Sequence, residues 1–230
     1  MTTPPPPPVV LLAVVTDGRA EMNLQCCVSM MHLQFELMTA KSDSFGAELT
    51  FVRDLNDVLD RLHRDKRLVG AFVIRHNASI PGAFALKAFQ SKERIVVSPT
   101  PLPVVDWERV KAHVLDAAED TRFSGNMYNV RLEGLPRPDG YARVASMIVA
   151  DGMFVRRDAV DAIAERNPDV VAEDKSAFAL DGVYDGKYMT GTQRFLDLHG
   201  DKVWADVENQ GGASGPIEYV GCVGARKVLR

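Results

Sequence analysis

The stretch Val-Val-Leu-Leu-Ala-Val-Val, residues 9–15, decides the fold, and Thr16-Asp17-Gly18 follows it directly. Seven consecutive apolar residues without polar alternation indicate a strand that is buried on both faces, as in a parallel sheet covered by helices. The aspartate and glycine after it are typical of a turn. The sequence therefore predicts a central strand at residues 9–15, and its carboxyl end lies where ligands bind in such sheets.

Helix-like and strand-like segments alternate after this strand. The predicted helices are residues 21–40, 55–64, 82–89 and 107–118, and the predicted strands between them are residues 49–52, 68–74 and 94–97. The first helix has apolar residues at helical spacing and Glu21 in its first turn, as a helix N-terminus prefers. This alternation predicts an α/β fold with a mostly parallel central sheet flanked by helices.

The second half of the chain has weaker periodicity. Residues 120–140 are rich in glycine and proline, which indicates a loop or hairpin, and residues 143–155 indicate a strand interrupted at Asp151-Gly152. The other predicted elements are helices at residues 158–165 and 190–199, a short strand at 202–206, a glycine-rich loop at 210–215 and a last strand. Residues 169–188 fit either a plain surface loop or a mobile flap. We therefore expect a small antiparallel element beside the main sheet.

The composition is that of an ordinary globular protein, with 46% apolar and 25% charged residues. The net charge of −4 argues against a protein that binds the nucleic-acid backbone, because such proteins carry an excess of Lys and Arg. The sequence has neither the roughly 20 apolar residues of a membrane span nor a signal peptide. We expect one domain at residues 9–230, after a flexible proline-rich leader at residues 1–8.

The three cysteines, Cys26, Cys27 and Cys222, have the spacing of neither a metal site nor a disulfide framework. This usage indicates a reducing compartment, and we expect a cytoplasmic protein. The adjacent pair Cys26-Cys27 fits core packing better than redox chemistry, because no electropositive neighbour is evident in the sequence.

No short motif identifies a reaction. Gly-x-Gly-x-x-Gly does not follow the first strand and Gly-Lys-Ser or Gly-Lys-Thr is absent, which argues against the common dinucleotide and P-loop sites. Gly-x-Ser-x-Gly is also absent, and the five histidines are scattered without metal-ligand spacing. Candidate ligand-binding residues are therefore those at the carboxyl ends of the predicted strands.

Four stretches together resemble a known family by their order and spacing. They are residues 9–18 with the following helix, residues 72–81 continuing through 95–97 to 101–110, residues 151–157, and the C-terminal segments 188–195, 200–206 and 215–221. This order is similar to that of small GT-A-fold glycosyltransferases, and the resemblance spans residues 9–223. It implies a Rossmann-like GT-A fold and the transfer of a sugar from a nucleotide sugar to a glycan acceptor.

The sequence departs from that family at three positions. Where the family carries Asp-x-Asp for a divalent cation, this chain has Arg75-His76-Asn77, and a guanidinium cannot ligate a cation. The family's Glu-Asp base corresponds to Gly191-Thr192, which cannot accept a proton near neutral pH. The family's C-terminal histidine corresponds to Ala213. We therefore expect no divalent metal cofactor, and the catalytic residues stay unknown.

Two hypotheses follow from these departures. In the first, the protein is a metal-independent glycosyltransferase in which Arg75, with help from Arg53, neutralises the diphosphate, and Glu173-Asp174 or Asp185 swings in as the base. In the second, it is a pseudoenzyme that keeps the fold but not the chemistry, and that pairs with an active enzyme or recognises a glycan or nucleotide. The sequence leaves open whether the protein is an enzyme.

The predicted donor-binding residues follow the predicted strands and are Thr16, Asp17, Arg53, Arg75, His76, Asn77, Asp151 and Gly152. Two of them also have plain structural interpretations. Arg75 could be a solvated residue at the end of its strand, and His76 could be a structural hydrogen-bonding residue.

Overall fold

The structure is a computed structural model that describes residues 8–16, 18, 22–39, 46–106, 108, 126–167, 182–184, 187–199 and 203–213. The helices among these residues are α1 (Leu24–Thr39), α2 (Leu55–Arg64), α3 (Gly82–Gln90), α4 (Arg157–Arg166) and α5 (Gly191–His199). None of the described helices has both the length and the apolar content that a membrane span needs.

The described strands form one large sheet and three short ribbons. The strands are β1 (Val9–Val15), β2 (Gly46–Val52), β3 (Leu68–Arg75), β4 (Ala78–Ser79), β5 (Ile95–Val97), β6 (Pro101–Val105), β7 (Asn126–Tyr128), β8 (Val130–Glu133), β9 (Tyr141–Met147), β10 (Met153–Arg156), β11 (Gly182–Tyr184), β12 (Lys187–Met189), β13 (Val203–Asp206) and β14 (Gly212–Ala213). The ribbons pair β11 with β12, β14 with β4 and β6 with β7, each antiparallel.

The large sheet has eight strands in the order β2-β1-β3-β10-β5-β13-β9-β8. Strand β1 pairs in parallel with β2 and β3, and β13 pairs in parallel with β5. Strand β10 is inserted antiparallel between β3 and β5, and β9 is antiparallel to both of its neighbours. Only β9 and β10 therefore oppose the common direction. The predicted α/β class, with a mostly parallel sheet and a small antiparallel element, is confirmed.

The two faces of β1 contact different helices, because successive side chains of a strand point to opposite sides. Leu11, Ala13 and Val15 belong to a buried cluster that includes residues of α2, α4 and α5. The intervening residues, represented by Val10 and Leu12, belong to a second cluster with residues of α1 and α3. The prediction that this apolar run is buried on both faces is confirmed.

Several boundaries differ from the sequence-based prediction. Helix α1 begins at Leu24, three residues late, because Asn23 caps it: the Asn23 Oδ1 accepts a hydrogen bond from the Gln25 N–H at 2.9 Å. The strand predicted at residues 143–155 is in fact two strands, β9 and β10. Glu21, most of the helix predicted at residues 107–118, the last predicted strand and most of residues 169–188 lie outside the described residues.

Aromatic packing attaches β10 to its neighbours. The ring centroids of Phe154 in β10 and Phe72 in β3 are 4.6 Å apart, and the Phe89 ring lies 6.0 Å from Phe154. The Phe154 ring also occupies the space beside Gly70, where the Cβ atom of any larger residue would come within 2.9 Å of it. Phe154 is 1% exposed, so truncating it would leave a cavity between the two strands.

We expect Phe154→Ala to lower the free energy of unfolding by about 3–5 kcal/mol, because it removes a buried aromatic ring. Leu135→Ala is the control, since Leu135 is 92% exposed and its truncation should change stability by less than about 0.5 kcal/mol. Urea unfolding followed by circular dichroism measures both. Equal effects of the two substitutions would contradict this account of β10.

Candidate functional site

A cleft of about 290 Å³ lies at the carboxyl ends of β1 and β3. The last residues of these strands, Val15 and Arg75, are paired in register and both line it. The other lining residues are Asp54, Leu55, Asn56, Ile148, Val149, Ala150, Thr190, Gly191 and Thr192. The cleft is therefore on the side of the sheet that α2 and α5 cover, at the edge where ligands bind in this class of fold.

The N-termini of α2 and α5 both reach the cleft. In α2, the Asp54 carboxylate accepts a hydrogen bond from the Asp57 N–H at 3.2 Å. In α5, the Thr190 Oγ1 accepts from the Gln193 N–H, and the Gln193 Oε1 accepts from the Thr190 N–H, both at 3.3 Å, which is a capping box. Because a helix N-terminus carries partial positive charge, the end of α5 favours an anion in the cleft, whereas the Asp54 carboxylate already offsets the charge at the end of α2.

Arg75 contributes the cationic side chain of the cleft, and a buried carboxylate holds it in place. Its backbone N–H donates to the Asp151 Oδ1 at 2.9 Å, and its Nε donates to the Asp151 Oδ2 at 3.1 Å. The Arg75 side chain is 13% exposed and that of Asp151 is fully buried. The interpretation of Arg75 as a solvated strand-end residue is therefore wrong.

One nitrogen of the Arg75 guanidinium has no partner among the described residues. The Nη2 atom is buried and makes no hydrogen bond to any of them. Leaving a buried donor unsatisfied costs about 1–3 kcal/mol, and more for a charged group. An acceptor oxygen that reached this atom, from a water molecule or from a ligand, would remove that cost.

Asn129 fixes the segment that contributes Ile148, Val149 and Ala150 to the cleft lining. The sequence-based prediction missed this residue. Its side chain is fully buried, with the Oδ1 accepting from the Thr100 N–H and the Nδ2 donating to the Asp151 carbonyl oxygen, each at 2.8 Å. Its carbonyl oxygen accepts from the Ile148 N–H. Asn129 thus fixes both ends of residues 148–151. The sequence carries no signal for this role, because Asn129 lies in a segment whose composition indicates only a loop.

The other predicted donor-binding residues near this edge do not line the cleft. Thr16 donates through its backbone N–H and its Oγ1 to the Val52 carbonyl oxygen, at 3.0 and 3.2 Å, which ties the end of β1 to β2. The Arg53 side chain is 75% exposed and pairs with Asp54 at 3.0 Å. Asp17 lies outside the described residues.

His76 and Asn77 form the turn after β3. The His76 N–H donates to the Val15 carbonyl oxygen at 3.0 Å, and its own carbonyl oxygen accepts from the Asn23 N–H at 2.8 Å. These contacts tie the turn to β1 and to the start of α1. The Nδ1 atom of His76 is buried and makes no hydrogen bond to the part of the chain that the structure describes. Neither residue lines the cleft beside Arg75.

Gly152 is needed for the backbone conformation of the turn before β10. Its φ of +61° is in the left-handed region, and a Cβ atom there would lie 2.8 Å from the Thr100 Oγ1 and 2.9 Å from the Ser98 carbonyl oxygen. The Gly152 carbonyl oxygen accepts from the Ser98 N–H at 2.7 Å. Only glycine combines this φ with such close packing, and the turn it forms brings Asp151 to Arg75.

Cys26 lies in the core beneath this turn. Burial raises the pKa of its thiol to about 12, and the negative charge of Asp151 contributes to the rise. The thiol therefore stays protonated at physiological pH, which makes it unreactive as a nucleophile. This state fits the predicted packing role.

The described cleft residues include one carboxylate, Asp54, and both of its oxygens are engaged. Its Oδ1 accepts from the Asp57 N–H and its Oδ2 from the Arg53 Nε at 3.0 Å. Across the described part of the chain, no three His, Cys, Asp or Glu side chains are grouped closely enough to hold a metal ion. The cleft thus offers a cation and helix N-termini rather than a set of oxygen ligands.

We expect Asp151→Ala to lower the free energy of unfolding by about 3–5 kcal/mol, because it leaves the Arg75 charge buried without a counter-charge. Glu133→Ala removes one partner of an exposed pair with Arg143 and should cost less than about 1 kcal/mol. Urea unfolding of both variants tests the difference. A loss for Asp151→Ala as small as that for Glu133→Ala would show that the buried pair does not hold the turn.

We also expect Gly152→Ala to cost more stability than Gly134→Ala. Both glycines have positive φ, 61° and 73°, so both substitutions strain the backbone by about 1–2 kcal/mol. A Cβ atom at Gly134 meets nothing within 4 Å, whereas at Gly152 it collides with Thr100 and Ser98. The collision should add about 1–3 kcal/mol. Thermal and urea unfolding measure the two losses, and equal losses would contradict the close packing at Gly152.

Comparisons with known proteins give distant likenesses. No protein-family model matches the chain, and no curated protein matches it. One similar solved structure is A197 from STIV, with 8% identity and a TM-score of 0.45, covering 90% of this chain and 86% of that one. Another is HddC from Yersinia pseudotuberculosis, with 9% identity and a TM-score of 0.37, covering 89% of this chain and 92% of that one. A third is assigned as a glucose-1-phosphate thymidylyltransferase from Bacillus anthracis, in complex with a sucrose. It has 10% identity and a TM-score of 0.39, covering 90% of this chain and 89% of that one. Likenesses at this level do not indicate a function.

Proposed function

We propose that this is a glycosyltransferase-like protein that binds a nucleotide sugar in the cleft and neutralises its diphosphate with Arg75 instead of a divalent cation. The observation that carries the proposal is Arg75 itself, an arginine that lines the cleft and whose buried Nη2 has no hydrogen-bond partner among the described residues. A phosphate oxygen is a strong acceptor for a guanidinium, and such charge-assisted bonds are about twice as strong as neutral ones.

The surroundings of Arg75 suit a phosphate. The Asp151 carboxylate accepts from the Arg75 Nε and so orients the guanidinium, while the buried Nη2 is left without a partner among the described residues. A planar guanidinium held in this way loses little rotamer entropy when it binds two oxygens. The N-terminus of α5 adds partial positive charge, while at α2 the Asp54 carboxylate offsets that of the helix end.

The size of the cleft limits how much of the ligand it encloses. At about 290 Å³ it is at the small end of ligand pockets, which run from roughly 300 to 1,000 Å³. It would therefore hold the diphosphate with one neighbouring ring. The rest of the nucleotide sugar would extend across the ends of β1 and β3, past Thr16, His76 and Asn77.

A divalent cation does not fit this set of donors. Hard cations take six or more oxygen ligands, and the described cleft supplies the single carboxylate of Asp54, which already accepts two hydrogen bonds. The Arg75 guanidinium would also repel a cation. These two features support binding of the diphosphate by side-chain and backbone donors.

A second candidate function is recognition without transfer, as a non-catalytic partner of an active enzyme or a glycan-binding protein. It is favoured by the state of Asp54, because a base must have a free oxygen to take the proton of an acceptor hydroxyl. The neighbouring Thr190, Gly191 and Thr192 cannot act as bases near neutral pH. Binding and turnover must therefore be measured separately.

Isothermal titration calorimetry with a panel of nucleoside diphosphate sugars tests the proposal. We expect binding in excess EDTA, with an affinity that added Mn²⁺ does not raise. Arg75→Ala should weaken it about 10- to 100-fold, as for the loss of charge-assisted hydrogen bonds, and Arg75→Lys should weaken it less because the charge remains. Arg143→Ala, at an exposed arginine outside the cleft, is the matched control and should bind like wild type.

Three outcomes would contradict the proposal. The first is affinity that requires Mn²⁺, and the second is the absence of binding by any nucleoside diphosphate sugar in the panel. The third is that Arg75→Lys and Arg75→Ala, shown by circular dichroism to be folded, bind with the same affinity as wild type. Release of nucleoside diphosphate in the presence of glycan acceptors then separates the two candidate functions. Turnover supports a metal-independent transferase, whereas binding without turnover supports the non-catalytic protein.

A further inference from the structure

Helix α1 carries apolar side chains on two opposite sides. One side is buried against the sheet and consists of Cys26, Met30, Leu33 and Leu37. The opposite side is exposed and consists of Leu24 (76% exposed), Val28 (42%), Met31 (64%) and Phe35 (64%). A surface helix normally places polar residues opposite its buried stripe, and a helix that is apolar on both sides is normally covered on both.

Two exposed apolar residues of the edge strand β2 lie on the same side of the sheet as α1. Leu49 and Phe51 are 43% and 57% exposed, and they pair in register with Leu12 and Val14 of β1. Those two β1 residues belong to the cluster under α1, so Leu49 and Phe51 lie on the same side of the sheet as α1. We call these two residues and the four exposed residues of α1 the α1 face.

The charges of α1 exclude some occupants of this face. In its 16 residues α1 has no Lys or Arg, and its one acidic residue, Glu36, is half-buried beside Gly82. Anionic lipid surfaces and nucleic acids attract helices that are rich in Lys and Arg. A face depleted of charge and rich in Met and Phe is typical of the core of a protein interface.

The spacing of the exposed α1 residues allows two copies of the helix to pack against each other. Leu24, Val28, Met31 and Phe35 are separated by four, three and four positions, which is the heptad spacing of packed helices. This order of spacings is the same in both directions along the helix. Two antiparallel copies related by a two-fold axis would therefore place Leu24 against Phe35 and Val28 against Met31, twice each.

We propose that the α1 face is the interface of a homodimer in which two α1 helices pack antiparallel. Its six side chains expose roughly 600 Å² per copy, taking about 180 Å² for a large apolar side chain. Two copies would bury roughly 1,200 Å², which is the lower end for specific interfaces before any polar rim is added. This proposal does not depend on the function of the cleft, which lies on the opposite side of the sheet.

Sedimentation equilibrium of the full chain tests the dimer. We expect wild type to have twice the monomer mass of 25.3 kDa at micromolar concentrations. The double variant Met31→Glu/Phe35→Glu should raise the dimer dissociation constant at least about 100-fold, because it buries charges at the centre of the interface. Leu135→Glu, at a 92% exposed leucine in another part of the molecule, is the matched control and should stay dimeric.

Charge pairing tests the antiparallel geometry. Leu24→Lys and Phe35→Glu should each weaken the dimer, whereas one chain carrying both substitutions should recover at least part of the affinity, because each new lysine faces a new glutamate of the other copy. A chain with Leu24→Lys and Phe35→Lys should not recover. If the Lys/Glu chain is as weak as the Lys/Lys chain, the proposed antiparallel pairing is wrong.

Hydrogen exchange of wild type gives a readout that does not depend on variants. Protection of α1 and β2 amides should fall as the protein is diluted through its dissociation constant. A wild-type protein that stays monomeric at about 100 μM would overturn the proposal, because a specific dimer should form well below that concentration. So would protection of α1 at every dilution in a monomer, because another part of the same chain would then cover the face.

Discussion

The buried pair of Arg75 and Asp151 is the contact on which the described edge of the sheet depends. The two residues are 76 positions apart, at the end of β3 and just before β10, and two hydrogen bonds join them. Removing either partner would leave a buried charge, which costs several kcal/mol. The pair therefore fixes where β10 enters between β3 and β5, and Gly152 and Asn129 give the backbone the shape that the pair requires.

The same pair sets the electrostatics of the cleft. Asp151 offsets the charge of Arg75, so the cleft is less cationic than an isolated arginine would make it. In return, the guanidinium is held in one orientation in a cleft that the starts of α2 and α5 also line, and its buried Nη2 has no partner among the described residues. A guanidinium that is already oriented loses little freedom when it binds an anionic ligand. The cleft would therefore select ligands by the arrangement of their oxygens, and not by their charge alone.

The sequence predicts the elements well where local chemistry decides them. The bounds of α2 follow from the Asp54 cap and the spacing of Leu55, Val58, Leu59 and Leu62, and the apolar run of β1 follows from burial on both faces. It also places Arg75 at the end of a strand. It does not reveal Asp151 as the partner of Arg75 or Asn129 as the support of the turn, because pairing across an inserted antiparallel strand depends on topology and leaves no local pattern. The extent of the domain and the role of Asp17 stay predictions.

The cleft and the α1 face lie on opposite sides of one sheet, since alternate residues of β1 and β3 point to each. Helix pairing through α1 would leave both clefts uncovered and directed away from the two-fold axis. Such a dimer would be bivalent. If the group that the cleft accepts is repeated along a polymer or a surface, a second weak contact made at high effective concentration would lengthen the residence time of the protein far beyond that of one cleft.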